Sequence, residues 1–144
     1  DTSVELYHKG VVPLETFVSM KYDRDLLVRI LINKTPGRFV YQAMRNQRTD
    51  FPVLACALSC VGGEYRAVYG ARPGRAMLLR DEEGILQNGP CAESAEAFAA
   101  YAARRIPTGS NSRAGAKYRT HLVSVLTKRS LSKLGDTREE RSWK

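Results

Sequence analysis

The sequence predicts an α+β fold: a small antiparallel β-sheet of three to four strands with three α-helices packed on one face. Three observations carry that expectation. Apolar runs of strand length crowd the first half of the chain, separated by Pro and Gly turns. Alanine-rich and amphipathic stretches of helical length crowd the second half. Strands first and helices after is the order of an α+β layer pair.

The elements follow in chain order. Residues 1–20 hold one short β piece, a His-Lys-Gly turn and a helical turn near Leu14 to Phe17, with Pro13 barring a longer helix. LLVRILI (26–32) is nearly continuous in apolar residues, with Val28, Ile30 and Ile32 on one side and Leu27, Arg29 and Leu31 on the other. NKTPG then reads as the turn of a hairpin into RFVYQAM (38–44). There Phe39, Tyr41 and Ala43 alternate with Val40, Gln42 and Met44. VLACALSC (53–60), apolar on both faces, reads as a central strand. Gly62 and Gly63 turn it into EYRAVYGAR (64–72), completing a four-stranded meander.

Three helices are expected next. The first is RAMLLRDEE (75–83), entered through the GARPGRA corner and stopped by Gly84. The second is AESAEAFAAYAARR (92–105), with Phe98, Tyr101 and Ala102 on one face and Pro107 ending it. The third and longest spans 113–132, with Ser110 or Ser112 as N-cap and Tyr118, Leu122, Val125 and Leu126 inward. Residues 135–144 read as a flexible tail.

Composition bounds the function. At 144 residues, 43% apolar and 26% charged, the chain is long enough for one cored domain and too apolar for disorder. The net charge of +8 suits nucleic acid, an anionic cofactor or an acidic partner without choosing among them. Cys56, Cys60 and Cys91 are odd in number and irregular in spacing, which argues against a disulfide framework and for a reducing, cytoplasmic setting. No apolar run is long enough to span a membrane. The first residue is Asp1 and not Met, which suggests a fragment or a processed chain.

Catalytic constellations are thin. His8 and His121 are the two histidines and have no partners in the pattern. Asp81, Glu82 and Glu83 read as a solvated helix end. No glycine-rich phosphate loop follows a strand. No catalytic residue and no metal ligand is assigned. The basic C-terminal helix leaves a nucleic-acid-binding module as an alternative function.

Five stretches, in order, resemble one family. VPLETFV (12–18) is similar to I-P-L-E-D-F-F, and DRDLLVRILI (23–32) to E-L-L-T-E-I-x-I. FVYQAMRNQRTDFPVLACAL (39–58) shares Tyr41, Asp50 and Phe51 with Y-x-K-x-x-R-R-x-x-D-F-A. VYGARPGRAMLLRDEEGIL (68–86) shares Gly70, Pro73, Arg75 and Ala76 with its counterpart. SRAGAKYRTHLVSVLTKRSL (112–131) is similar to D-x-R-A-S-A-x-Y-R-x-x-L-x-x-V-L-x-x-R-A-L, with Arg113, Tyr118, Arg119, Leu122 and Arg129 in register. The sequence thus resembles the C-terminal domain of the FAD-binding (medium) subunit of molybdenum hydroxylases, the xanthine dehydrogenase and carbon monoxide dehydrogenase flavoprotein family.

The resemblance implies a CO dehydrogenase flavoprotein C-terminal-like domain over residues 21–134, with residues 1–20 as the tail of a preceding FAD-binding domain and 135–144 outside it. It implies FAD, bound mainly by glycine-rich loops of that preceding domain. It implies partners that carry molybdopterin and 2Fe-2S clusters, and electron transfer through FAD to NAD or another acceptor. Leu27, Gln42 and Arg45 fall on the flavin side in the family and are the implied cofactor-side residues. Gln42 stands where many members have Lys or Glu, and Asn46 and Gln47 where Arg-Arg is common.

Overall fold

The computed structural model of the chain describes residues 2–21 and 23–135. It divides into two units, residues 1–36 and 37–144. The first unit contains β1 (Thr2–Leu6), β2 (Gly10–Pro13), α1 (Leu14–Ser19) and β3 (Leu27–Ile32). Its strands form an antiparallel sheet in the order β2-β1-β3. The β1–β3 register sets Glu5 opposite Arg29, and the two side chains form an ion pair. The β1–β2 turn is tied down by Asp25, whose carboxylate accepts from the backbone N–H groups of His8 (2.9 Å) and Lys9 (3.1 Å). Val4 and Leu6 of β1 are buried, whereas every residue of β3 is exposed.

The second unit contains β4 (Arg38–Met44), β5 (Leu54–Val61), β6 (Glu64–Gly70), β7 (Met77–Arg80), α2 (Ala92–Arg105) and α3 (Ala116–Gly135). Its sheet is antiparallel throughout, in the order β4-β5-β6-β7. The β5–β6 turn is the two-residue Gly62-Gly63 type with φ of +57° and +84°, which other L residues resist. Strand alternation sends Leu54, Cys56 and Leu58 of β5 and Tyr65, Ala67 and Tyr69 of β6 to one face. α3 packs on that face across β4 and β5, and α2 lies along α3. The alanines Ala95, Ala99 and Ala102 of α2 are buried, so a small-residue stripe lets the two helices approach closely. Phe98, Tyr101, Leu122, Leu126 and Leu131 complete the core. Arg38 of β4 donates to the Leu134 carbonyl at 2.7 Å and so caps the C-terminal end of α3.

The α+β class, the antiparallel pairing, the central position of β5 and the span of α2 match the sequence reading. Residues 1–20 hold two paired strands where the sequence reading gave one β piece, and four further assignments differ. First, LLVRILI does not form a hairpin with RFVYQAM, because β3 pairs with β1 in the other sheet. Gly37 is a close-approach position, since a Cβ there would lie 2.9 Å from the Cys60 carbonyl oxygen. Second, residues 75–83 are not helical. Met77–Arg80 adds an edge strand to β6, in register Val68↔Leu78, and the GARPGRA corner is the loop of that hairpin. The apolar run is only three residues long, so strand pairing outweighs helix propensity. Third, α3 begins at Ala116, whose N–H is accepted by Ser110 Oγ at 2.9 Å. Fourth, its inward face holds in part: Leu122 and Leu126 are buried as read, whereas Tyr118 is exposed, Val125 is half-buried, and Arg119 and Val123 are buried. The expected tail from residue 136 onward lies outside the described residues. Among the described residues no helix is long and apolar enough to cross a membrane.

Candidate functional site

With α2 and α3 on one face of the second unit's sheet, register defines the other face. One row across it is Tyr41, Ala57, Val68 and Leu78; the next is Phe39, Ser59, Arg66 and Arg80. Its centre is floored by small residues, Ala55, Ala57 and Gly70, and flanked by the exposed rings of Phe39 and Tyr41. A shallow, aromatic-edged surface of this kind suits a flat partner.

At one end of this sheet lies the β4–β5 loop, residues 45–53, where a second and better-defined arrangement is built. Arg45 Nε donates to the Asp50 carbonyl at 3.1 Å, and the Asp50 N–H to the Gln47 carbonyl at 3.1 Å. Asp50 Oδ1 accepts from the Phe51 N–H at 2.7 Å, an Asx-type closure, and Val53 N–H to Met44 carbonyl at 2.7 Å zips the loop's base. A second loop, residues 107–115, comes alongside. Asn46 Nδ2 donates to the Arg113 carbonyl at 3.3 Å. The Arg113 guanidinium lies 3.5 Å from Asp50 Oδ1 and 5.3 Å from the centroid of Phe51. Phe51 is 74% exposed, so Arg113 covers part of an otherwise solvated ring.

Beneath both loops sits Arg119, with none of its surface exposed. Its Nε donates to the Val53 carbonyl (2.8 Å), Nη1 to the carbonyls of Gly109 and Ala114 (2.6 Å each), and Nη2 to Asn111 Oδ1 (2.6 Å). Asn111 Oδ1 also accepts from the Arg113 N–H at 2.9 Å. Burial draws the Arg119 pKa down, and the nearby Arg113 charge adds to that. The planar fork keeps its charge because its donors meet neutral oxygens.

The residues singled out from sequence fall in three places. Arg45 is part of the β4–β5 loop and braces it. Gln42 lies on the helix side of β4, opposite Cys56, with Val40 and Met44. Its Nε2 is buried and has no hydrogen-bond partner among the described residues, a donor left open. Leu27 belongs to the first unit, at the start of the exposed strand β3, and is 45% exposed. Sequence reasoning named Asn46 only as a departure from the family pattern, and missed Asn111 and the burial of Arg119. The signal was the run TGSNSRAG ahead of α3, whose polar residues build a turn instead of merely connecting helices.

The second unit presents no phosphate cradle at these residues. Two clefts, of about 420 and 380 Å³, are lined by other residues around Cys91 and around Glu64. The surface offers an aromatic sheet face and a braced aromatic and cationic loop, while the open donor of Gln42 is buried on the other side of the sheet. That set fits a planar cofactor touched from one side, and not one held by this chain alone. The basic face of α3 is interrupted: Arg119 is internal, and Lys128 pairs with Glu96 at 2.8 Å.

The family model for the CO dehydrogenase flavoprotein C-terminal domain matches residues 39–134. Among solved structures, quinoline 2-oxidoreductase from Pseudomonas putida 86 is similar at TM-score 0.77 and 18% identity. Carbon monoxide dehydrogenase from Hydrogenophaga pseudoflava, in a form lacking the Mo-pyranopterin moiety, is similar at 0.74 and 20%. A cyanide-inactivated Cu,Mo-CO dehydrogenase is similar at 0.58 and 18%. Each likeness covers 93% of this chain and 52% of the other, so this chain spans about half the length of those chains. At such identities the likeness shows a common fold. No curated protein matches the sequence. The family match covers the four-stranded sheet, both long helices and the braced loop, and on that ground the chain belongs to the CO dehydrogenase flavoprotein C-terminal domain family.

Proposed function

We infer that this chain is the C-terminal part of the flavoprotein subunit of a molybdenum hydroxylase. In this reading residues 1–20 close a preceding FAD-binding domain, and residues 21–134 buttress it. The subunit passes electrons from iron–sulfur clusters to FAD and on to NAD or another acceptor. The complex is xanthine dehydrogenase-like and cytoplasmic, with the molybdopterin and 2Fe-2S centres in partner subunits. The observation that carries this reading is the family match over residues 39–134.

The chain's own residues support a covering role. A flavin exchanges electrons singly or in pairs, and its protein surroundings set its orientation and exclude water. Arg45 would approach it through the exposed loop it braces; Gln42, whose amide nitrogen is buried on the helix side of β4, would not touch it directly. Leu27, on the exposed strand β3 of the first unit, is a separate candidate for apolar contact with the cofactor. No side chain here acts as acid, base or nucleophile in this account; the contribution is shape, dryness and fixed dipoles.

The test is to co-express this chain with the FAD-binding domain of the same subunit. The expected result is a purified pair that carries FAD, seen by its visible absorption. A pair that associates with no flavin, or that does not associate, contradicts the reading.

A further inference from the structure

A guanidinium buried without a carboxylate is an expensive way to fill a core, and an apolar side chain of similar volume is often as stable or more so. Arg119 therefore calls for a role that packing alone does not require. Its four hydrogen bonds all end on loop or loop-edge atoms: Val53 at the close of the β4–β5 loop, and Gly109, Asn111 and Ala114 in the loop before α3. The same Asn111 oxygen that accepts from Arg119 also accepts from the Arg113 N–H. Asn111 N–H in turn donates to the Ala114 carbonyl at 3.1 Å, so both the backbone and the side-chain oxygen of Asn111 are engaged in this turn. What it presents is Arg113, set against Asp50 and over Phe51.

We propose that Arg119, working through Asn111, is a positioning residue that seats Arg113 on Phe51 and Asp50 and thereby sets the shape of the 45–53 loop. The chain of contacts runs from a helix, through a turn held by Asn111, to the exposed loop that carries Arg45. A guanidinium suits the task because it reaches acceptors in three directions from one plane, whereas an ammonium is a single point. The link from this loop to the flavin rests on the function proposed above; the positioning itself rests on the contacts alone.

The experiment uses the 144-residue chain and the FAD-loaded subunit. Three variants are compared: Arg119→Leu, Arg119→Lys and Asn111→Ala. In the chain, NMR follows the Arg113 Nε–H signal, the Phe51 ring shifts and the methyls of Leu58 and Leu126. The expected result is loss of the distinct Arg113 signal and collapse of the Phe51 shifts in all three variants, with the core methyls unmoved. Failure of Arg119→Lys to rescue separates geometry from charge. Asn111 is exposed, so Asn111→Ala keeps the test sound if Arg119→Leu does not fold. Unchanged Arg113 and Phe51 signals in a folded variant overturn the proposal. In the loaded subunit the variants are expected to shift the flavin absorption and its reduction potential relative to the unsubstituted protein. A loosened loop with an unmoved flavin spectrum places the loop away from the cofactor and refutes the functional reading, while the positioning role stands.

Discussion

β5 and β3 are both almost continuously apolar, LACALSCV and LVRILI, and they end in opposite surroundings. β5 lies inside its sheet with β4 and β6 on either side, and α3 covers Leu54, Cys56 and Leu58. β3 is an edge strand, bonded to β1 alone in its sheet, and it leaves Val28, Ile30 and Ile32 open, the last at 73% exposure. An apolar strand states a need for cover. In the second unit the chain meets that need itself, through α3. In the first unit the cover for β3 is not among its own elements, and such an edge invites a further strand or a partner surface. The difference is one of self-sufficiency at these two strands: the second unit covers β5 with its own α3, and the first unit leaves β3 uncovered by its own elements.

The largest effect that tests this contrast is a pair of equal truncations. Leu58→Ala leaves a cavity between sheet and helix and is expected to cost about 2–5 kcal/mol, read from urea unfolding. Ile30→Ala removes exposed surface and is expected to stay within about 0.5 kcal/mol. Equal losses would erase the distinction. The thiols give a second reading of the same closed core. Burial pushes the Cys56 thiol up to about 11, while the exposed Cys91, held by the Ser94 side chain and backbone at the start of α2, lies below its usual value. Iodoacetamide is expected to modify Cys91 in the native protein and Cys56 only on unfolding. Comparable native rates would mean that the sheet opens from α3.

A smaller effect probes the polar seam within that core. Tyr69 Oη and Thr127 Oγ1 are 2.6 Å apart, and the Thr127 hydroxyl also bonds the Val123 carbonyl at 2.6 Å. Tyr69→Phe is expected to cost about 1 kcal/mol, since Thr127 keeps its second partner. The smallest effect is at the surface. Glu64 accepts from Arg66 at 2.6 Å and Arg80 at 2.7 Å, which lowers its carboxyl from 4.5 to about 2. A depressed carboxyl stabilises the fold above the unfolded value and loses that contribution as pH falls from about 4.5 towards 2. Glu64→Gln is expected to flatten the stability profile in that window and to remove the same contribution at pH 7, a small one because the pair is exposed. An unchanged acid limb would show that the two arginines do not hold Glu64 in solution.

The readable parts of the fold were those with a strong local period. Phe98, Tyr101 and Ala102 sit three and one residues apart on α2 and are all buried, and the alternation of Phe39 and Tyr41 against Val40 and Met44 holds in β4. Pairing was not readable. LLVRILI had two possible partners, and its choice of β1 depends on contacts such as Glu5 with Arg29 that no local pattern encodes. MLLR is too short for its period to separate strand from helix. Arg119 was hidden for a different reason: charge predicts exposure, and only the ring of carbonyls around it makes burial tolerable. Of the candidate site, Arg45 was legible through motif resemblance. The contact of Asn46 with Arg113, and of Arg113 with Asp50, became visible only once two loops distant in sequence were seen side by side.

The central claim, that β3 is built to be covered by a flavin-carrying neighbour, is tested most directly by amide hydrogen exchange of residues 27–32. The measurement is made on this chain alone and on the chain joined to the FAD-binding domain. The account predicts fast exchange of the outward-facing β3 amides in the isolated chain and strong protection in the joined protein, with β5 equally protected in both. Unchanged exchange across β3 in a joined protein that carries FAD would contradict it.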